Sequence, residues 1–173
     1  GAIEFDGTNH ALLELSDFMM GNEMTISFWS KGNGSAGTNT SILEAYDINN
    51  NRIVNIHMPW SDNTMYFDAG EGNGYDRISK LMTATEMDNT WNHWAFVKKQ
   101  STGQMLIYKN GVLWHSGTGK NMEVGYIHRM VLGSNWDQGY MWKGRIDDFQ
   151  IYDAALPQAT IQTYMNQKPD ASH

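Results

Sequence analysis

The chain has 173 residues, of which 40% are hydrophobic and 18% are charged, and this composition excludes a disordered or membrane-embedded protein. The net charge of -7 opposes nucleic-acid binding, and it disfavours sulfated or uronate-rich polymers unless a local basic pocket overrides the average. Because cysteine is absent, disulfides and thiolate chemistry are excluded as well.

Short runs rich in β-branched and aromatic residues alternate with Gly, Asn, Asp and Ser clusters, a pattern typical of an all-β sandwich or barrel. The predicted strands, in chain order, are Ala2–Phe5, Ala11–Leu15, Met24–Lys31, Thr40–Tyr46, Arg52–Met58, Thr64–Asp68, Trp91–Lys99, Gln104–Lys109, Val112–His115, Met130–Leu132 and Lys143–Tyr152. The dipeptide Asn110-Gly111 predicts a type I′ hairpin turn, because both residues tolerate a positive φ. After the last strand, Pro157 and the spacing of Ile161 and Tyr164 predict one short closing helix.

The alternation of strand-like runs and turn clusters continues along the chain without a linker-like break, so we expect one domain over residues 1–165. The polar stretch 166–173 is expected to be a tail or linker into a following module. No signal-peptide pattern opens the sequence, and we expect a monomeric module excised from a larger multidomain protein.

Five motifs follow one another along the chain, namely Phe5-Asp6-Gly7, Thr25–Lys31, Trp91–Val97, Leu106–Gly111 and Gly144–Tyr152. In order and spacing they resemble the laminin-G-like jelly-roll family of the concanavalin A-like superfamily, and the resemblance spans nearly the whole chain. It implies a two-sheet antiparallel jelly-roll sandwich that forms part of a surface, adhesin, carbohydrate-active or virion protein. It also implies an extracellular, cell-surface or virion-associated location and, frequently, one calcium ion.

The resemblance places the calcium site near Asp6 and Asp148, because the first and last strands of such a sandwich run side by side. Calcium takes about six to eight oxygen ligands, so these carboxylates would need backbone carbonyls and water in addition. Alternatively, Asp6 caps a turn and Asp148 pairs with Arg145 or Lys143. Strand alternation separates Asp147 from Asp148, so one of the two must face inward or occupy a bulge.

Aromatic and polar residues flank a Gly-rich loop, and this mixture indicates a sugar site, because rings stack on sugar C–H faces while fixed polar groups bind hydroxyls. The candidate ligand-binding residues are Trp60, Asp68, Tyr75, Asp76 and Arg77, with Asn135 and Trp136 from a second loop. Trp142, which follows that second loop, is expected in the core. The structural alternative is that Trp60 and Tyr75 close the end of the sandwich while Asp76 and Arg77 form an ion pair.

Three functions remain open. A non-catalytic, calcium-supported module that binds glycans predicts an exposed Trp or Tyr platform flanked by Asp, Asn or Arg. A structural or protein-interaction module predicts a buried Trp60 and Trp136 and a flat hydrophilic sheet face. A polysaccharide lyase needs His57 and Tyr108 within reach of one reacting atom. No strand carries the alternating carboxylates of a retaining glycosidase, so we predict that the protein is not an enzyme. From the charge and composition we also predict no nucleic-acid partner and no membrane insertion.

Overall fold

The computed structural model describes residues 1–19, 21–72 and 74–167, which form two packed antiparallel sheets of six strands each. The first sheet contains, in spatial order, β1 (Ile3–Asp6), β12 (Lys143–Tyr152), β3 (Glu23–Gly32), β8 (Asn92–Lys99), β9 (Gln104–Lys109) and β10 (Val112–Gly117). The second contains β2 (Ala11–Met19), β11 (Tyr126–Leu132), β4 (Leu43–Tyr46), β5 (Arg52–His57), β6 (Thr64–Ala69) and β7 (Asp76–Leu81). The predicted jelly-roll sandwich is confirmed.

The core lies between the two sheets, where strand alternation directs every second side chain inward. The rings of Phe28 and Phe96 stack with centroids 5.7 Å apart within the first sheet. Phe67 of the second sheet meets Phe96 edge-on at 5.3 Å and joins the two layers. Trp142 is 1% exposed and donates its indole N–H to the Met58 carbonyl at 3.0 Å, so its predicted core position is confirmed.

Two α-helices and one short 3₁₀ helix complete the described chain. Helix α1 (Ala84–Met87) begins with a capping box in which the Thr83 N–H donates to the Glu86 carboxylate at 2.9 Å. The predicted closing helix is α2 (Gln158–Asn166), and its Ile161 packs over Ala95, Val97 and Tyr108 on the outside of the first sheet. The 3₁₀ helix spans Gln100–Thr102. None of these described helices is long and apolar enough to cross a membrane.

The predicted hairpin turn between β9 and β10 is confirmed. Asn110 and Gly111 have φ values of 50° and 77°, and Lys109 pairs directly with Val112. A Cβ on Gly111 would also lie 2.8 Å from the Gln162 side chain of α2. The glycine is therefore required both by the turn and by the close approach of the helix.

Of the two alternatives for Asp147 and Asp148, an inward-facing carboxylate or a bulge, the structure has the bulge. The register of β12 against β3 shifts between Asp147 and Gln150, and Asp148 has a φ of 51°. The extra residue allows both carboxylates to avoid the apolar interior, which is the physical reason for the bulge.

The sequence did not predict β7, because its residues alternate between polar and apolar so weakly that they resemble a loop. Tertiary pairing with β6 fixes this edge strand instead. The other strand boundaries agree within a few residues, except that β2 and β11 are longer than expected. Helix α2 includes Asn166, the first residue of the predicted tail, and residues 168–173 lie outside the described residues. The domain boundary therefore stays a prediction.

Candidate functional site

Polar side chains cover the face of the second sheet that points away from the core, which we call the outer face. Adjacent strands set its side chains in three rows. The rows are Glu44, Asn55, Asp68 and Arg77 across β4 to β7; His57 and Tyr66 on β5 and β6; and Arg129, Tyr46 and Arg52 across β11, β4 and β5.

Aromatic side chains from two loops overhang this polar floor. The ring of Trp60 lies 4.2 Å from His57 and 4.9 Å from Tyr140. Trp136 meets Tyr46 edge-on at 5.9 Å. Floor residues such as Asn55 are buried even though they point out of the core, and Asn55 is hydrogen-bonded to Ser41 and Asp68. The outer face is therefore a polar patch with aromatic walls, the mixture expected of a sugar site.

Asn135 holds the second loop in place rather than facing outward. Its side-chain oxygen accepts hydrogen bonds from the backbone N–H groups of Gly139, at 2.6 Å, and Tyr140, at 3.0 Å. The Ser41 N–H donates to the Tyr140 carbonyl at 2.9 Å and ties the loop to the start of β4. Asn135 therefore positions Trp136 and Tyr140 above the floor.

Asp68 is held by three hydrogen bonds on the floor. Arg77 donates to both of its oxygens, at 2.6 and 2.7 Å, and Asn55 donates at 3.4 Å. The hydrogen bond to Asp68 raises the pKa of the Arg77 guanidinium. The alternative in which Arg77 pairs with Asp76 is wrong, because neighbouring residues of a strand point to opposite faces.

Asp76 accordingly points to the interior side of the second sheet. Its carboxylate lies 2.5 Å from the ammonium group of Lys98, which is fully buried, and accepts a hydrogen bond from the Met122 N–H at 2.9 Å. The structure does not bring Asp76 to the other candidate ligand-binding residues. Its observed partner is the buried lysine.

Glu44 is a buried carboxyl group in the same row as Asp68. Burial raises the pKa of Glu44 to about 7, although Arg52 at 3.6 Å opposes this rise. The Tyr46 hydroxyl and the Trp136 N–H both donate hydrogen bonds to it. Glu44 is therefore only partly ionised near neutral pH.

His57 is a buried histidine on the outer face, packed against Trp60. Its Nδ1 lies 2.9 Å from the Thr40 carbonyl oxygen and 3.1 Å from the Ser41 hydroxyl. Because a carbonyl can only accept, we assign the ring proton to Nδ1, which leaves the lone pair on Nε2. Burial lowers the pKa of His57, so the ring is neutral near pH 7. A neutral Nε2 suits a ligand hydroxyl.

Two exposed rings lie beside arginine side chains. Trp136 is 51% exposed, and the Arg129 guanidinium lies 4.3 Å from its ring centroid. Tyr75 is 46% exposed, with Arg77 at 4.9 Å from its ring. Trp60 is half-buried. The exposure of Trp136 agrees with the platform expected of a glycan-binding module and not with the buried Trp136 expected of a structural one.

Asp6 and Asp148 do not meet. Asp6 pairs in register with Lys143, and Asp148 lies five residues further along β12, on the order of 15 Å away. One oxygen of Asp6 accepts hydrogen bonds from the Thr8 N–H and hydroxyl at 2.8 and 2.7 Å, as in the turn-capping alternative. In the described ranges, no group of three or more His, Asp or Glu residues is placed to hold a metal ion. This pair therefore does not fit one calcium ion.

Calcium binding itself stays a proposal, and melting with calcium or EDTA tests it. If calcium raises the Tm, we expect at most one of Asp6→Ala and Asp148→Ala to remove the rise, because the two carboxylates lie far apart. Loss of the rise in both variants would contradict the register of β1 and β12. A Thr8→Ala control shows whether the Asp6 turn alone changes the Tm.

The residues required for the lyase hypothesis lie on opposite sides of the sandwich. His57 lies on the outer face of the second sheet, whereas Tyr108 lies under α2 outside the first sheet. They cannot reach one reacting atom, so this pairing is wrong.

Several outer-face residues are not among the candidate ligand-binding residues predicted from the sequence. They are Glu44, Tyr46, Arg52, Asn55, Tyr66, Arg129 and Tyr140. Part of this set could have been found from the sequence, because polar residues two positions apart in one strand share a face. The pairs are Glu44 and Tyr46, Asn55 and His57, and Tyr66 and Asp68. What the sequence lacked was the order of the strands.

Solved structures with a similar fold include a heptameric SAP-like pentraxin from Limulus polyphemus, with a TM-score of 0.71 and 20% identity over 94% of this chain and 80% of that chain. The Botulinum neurotoxin serotype D ligand binding domain in complex with N-acetylneuraminic acid has a TM-score of 0.72 and 18% identity, over 94% and 40%. The Botulinum neurotoxin DC binding domain in complex with rat synaptotagmin II has a TM-score of 0.71 and 20% identity, over 91% and 39%. This chain spans less than half of either toxin domain.

At these identities the similarity shows the fold alone. No curated protein matches the chain in sequence. A sequence profile of the laminin G type, described as concanavalin A-like lectin/glucanases superfamily, matches residues 5–162. That match covers most of the chain and agrees with the two six-stranded sheets. The chain therefore belongs to the concanavalin A-like lectin/glucanases superfamily, in its laminin G-like group.

Proposed function

We propose that the protein is a non-catalytic carbohydrate-binding module whose site is the outer face. The observation that carries this proposal is the exposed Trp136, which meets Tyr46 edge-on and lies beside Arg129 on the outer face. Two of the similarly folded structures are themselves binding domains, which supports a binding role in general.

A sugar ring stacks on Trp136 or Tyr75, because the apolar C–H face of a sugar complements an exposed aromatic ring. The neutral Nε2 of His57 accepts a hydrogen bond from a hydroxyl, and the Arg52 guanidinium donates one. The site is shallow, so we expect affinities in the micromolar to millimolar range.

The module acts outside the cell, at a cell surface or on a virion, as part of a larger protein. Its partner is a glycan of a polysaccharide or of a cell-surface glycoconjugate. The superfamily assignment supports this proposed location and partner.

We expect Trp136→Ala to weaken glycan binding by about tenfold or more, equivalent to about 1.4 kcal/mol, because it removes the exposed stacking platform. Trp60→Ala should also weaken binding, since Trp60 packs on His57. The measurement is a glycan screen by Tm shift followed by titration calorimetry of each variant.

The matched control is Trp91→Ala. Trp91 is 39% exposed but precedes β8 of the first sheet, away from the outer face. If Trp91→Ala weakens binding as much as Trp136→Ala, the site is elsewhere. If no neutral or acidic glycan changes the Tm, the structural or protein-interaction module becomes the better description.

A further inference from the structure

Arginine is concentrated on the outer face. The sequence contains Arg52, Arg77, Arg129 and Arg145, and the first three lie on this one face. Arg145 lies on the first sheet, where it pairs with Glu4 at 3.2 Å. The chain as a whole carries a net charge of -7, so this cluster of arginines is a local exception to the negative charge of the protein.

Two of these arginines have hydrogen-bonding capacity that the described residues do not use. Arg77 is bound to both oxygens of Asp68. Arg52, in contrast, forms longer ion pairs with Glu44 at 3.6 Å and Asp68 at 3.8 Å, and its side chain is 35% exposed. The buried Nε of Arg129 has no hydrogen-bond partner in the described part of the chain.

The acidic groups of the outer face compensate this positive charge only in part. Asp68 is already paired with Arg77, and Glu44 is partly neutral because burial raises its pKa to about 7. Glu14 lies opposite Arg129 in register, but it is exposed to solvent, where ion pairs contribute little. Among the described residues, no carboxylate binds Arg52 or Arg129 of this row at close hydrogen-bonding distance, so both guanidinium groups can accept an anionic ligand.

We infer that the outer face selects an acidic sugar, whose carboxylate or sulfate group binds Arg52 while the adjoining chain extends across Tyr46 toward Arg129 and Trp136. A guanidinium presents a planar fork of N–H donors that matches such oxyanions, which a neutral sugar cannot satisfy. This inference rests on the proposed function and names its ligand class. It corresponds to the exception that the sequence analysis allowed, in which a local basic pocket overrides the net negative charge.

The geometry favours a ligand that spans the row rather than one anion held between both arginines. Arg129 and Arg52 lie on strands separated by β4, so their backbones are about 10 Å apart. Arg129 leans on Trp136, at 4.3 Å, and Arg52 leans toward Tyr75, at 5.6 Å. Each guanidinium therefore has an exposed ring beside it, which suits an oligosaccharide with more than one acidic unit.

The test is titration calorimetry of the whole chain with three oligosaccharides of equal length. The first is a hexuronate oligomer, the second is the same oligomer with its carboxyl groups reduced, and the third is a sulfated neutral oligomer. We expect at least one acidic oligomer to bind about tenfold or more tightly than the reduced one, with a preference that falls as salt rises. The first and third arms identify which anion is preferred.

Arg52→Gln and Arg129→Gln should each weaken acidic-oligomer binding several-fold and weaken reduced-oligomer binding by a smaller factor, so that the preference for the acidic oligomer falls. Arg145→Gln is the matched control, since it removes an arginine from the other sheet and should change neither. Arg52→Lys retains the charge but not the planar fork, so it should recover only part of the preference. Melting curves of each variant confirm that it is folded.

Equal affinity for the acidic and reduced oligomers would overturn this inference. If Trp136→Ala still abolished binding in that case, the proposed function would stand with a neutral ligand. If no oligomer bound at all, the inference of an acidic ligand would fail, and the wider glycan screen would decide the proposed function separately. A loss of preference in Arg145→Gln equal to that in Arg52→Gln would show that net charge, and not the outer face, selects the acid.

Discussion

Replacing Asp76 with alanine is expected to lower the free energy of unfolding by about 3–5 kcal/mol. The substitution leaves the ammonium group of Lys98 fully buried between the sheets without its partner at 2.5 Å. It also removes the acceptor of the Met122 N–H. Burial already lowers the pKa of Lys98, which shows that the charged form is costly at this position. Urea unfolding at pH 7 measures the effect.

Two controls separate a buried unpaired charge from a general loss of packing. Glu4→Ala breaks the exposed pair with Arg145 and should cost less than about 1 kcal/mol. The double variant Asp76→Leu with Lys98→Met should recover most of the stability lost in Asp76→Ala, because no unpaired charge remains. If Asp76→Ala were as mild as Glu4→Ala, the buried ion pair would not stabilise the sandwich.

The second large effect is a pH dependence caused by Glu44. Its pKa in the folded protein is about 7, raised from 4.5 by burial. Between these two values the folded state retains a proton that the unfolded state has released, so the free energy of unfolding falls as pH rises. A shift of this size corresponds to about 3 kcal/mol, fully present below pH 4.5 and lost above pH 7.

Glu44→Gln should remove this component, so the difference in unfolding free energy between the wild type and the variant should change by about 3 kcal/mol from pH 4.5 to above pH 7. The difference is the quantity to measure, because buried His57 and His93 act in the opposite direction. Burial lowers both of their pKa values, that of His93 to about 4, so their contribution rises with pH. A pH-independent difference would mean that Glu44 titrates as an exposed carboxyl group.

The pairing of Asp68, Asp76 and Arg77 illustrates why the candidate site was only partly predictable. All three are polar residues near one Gly-rich loop, and the sequence grouped them together. Alternation along β7 sends Arg77 to the outer face and Asp76 to the interior, but the sequence did not predict that β7 is a strand. Without that strand, the two faces could not be assigned.

Local chemistry allowed the sequence by itself to determine the all-β class, most strands, the Asn110-Gly111 turn and the closing helix. Each depends on φ preference or alternation within a few residues. The tertiary structure alone decided that Arg129, Tyr46 and Arg52 share a row, that Lys98 pairs with Asp76, and that Asp6 lies far from Asp148. These contacts depend on strand order and register between segments far apart in the chain, and no local pattern encodes them.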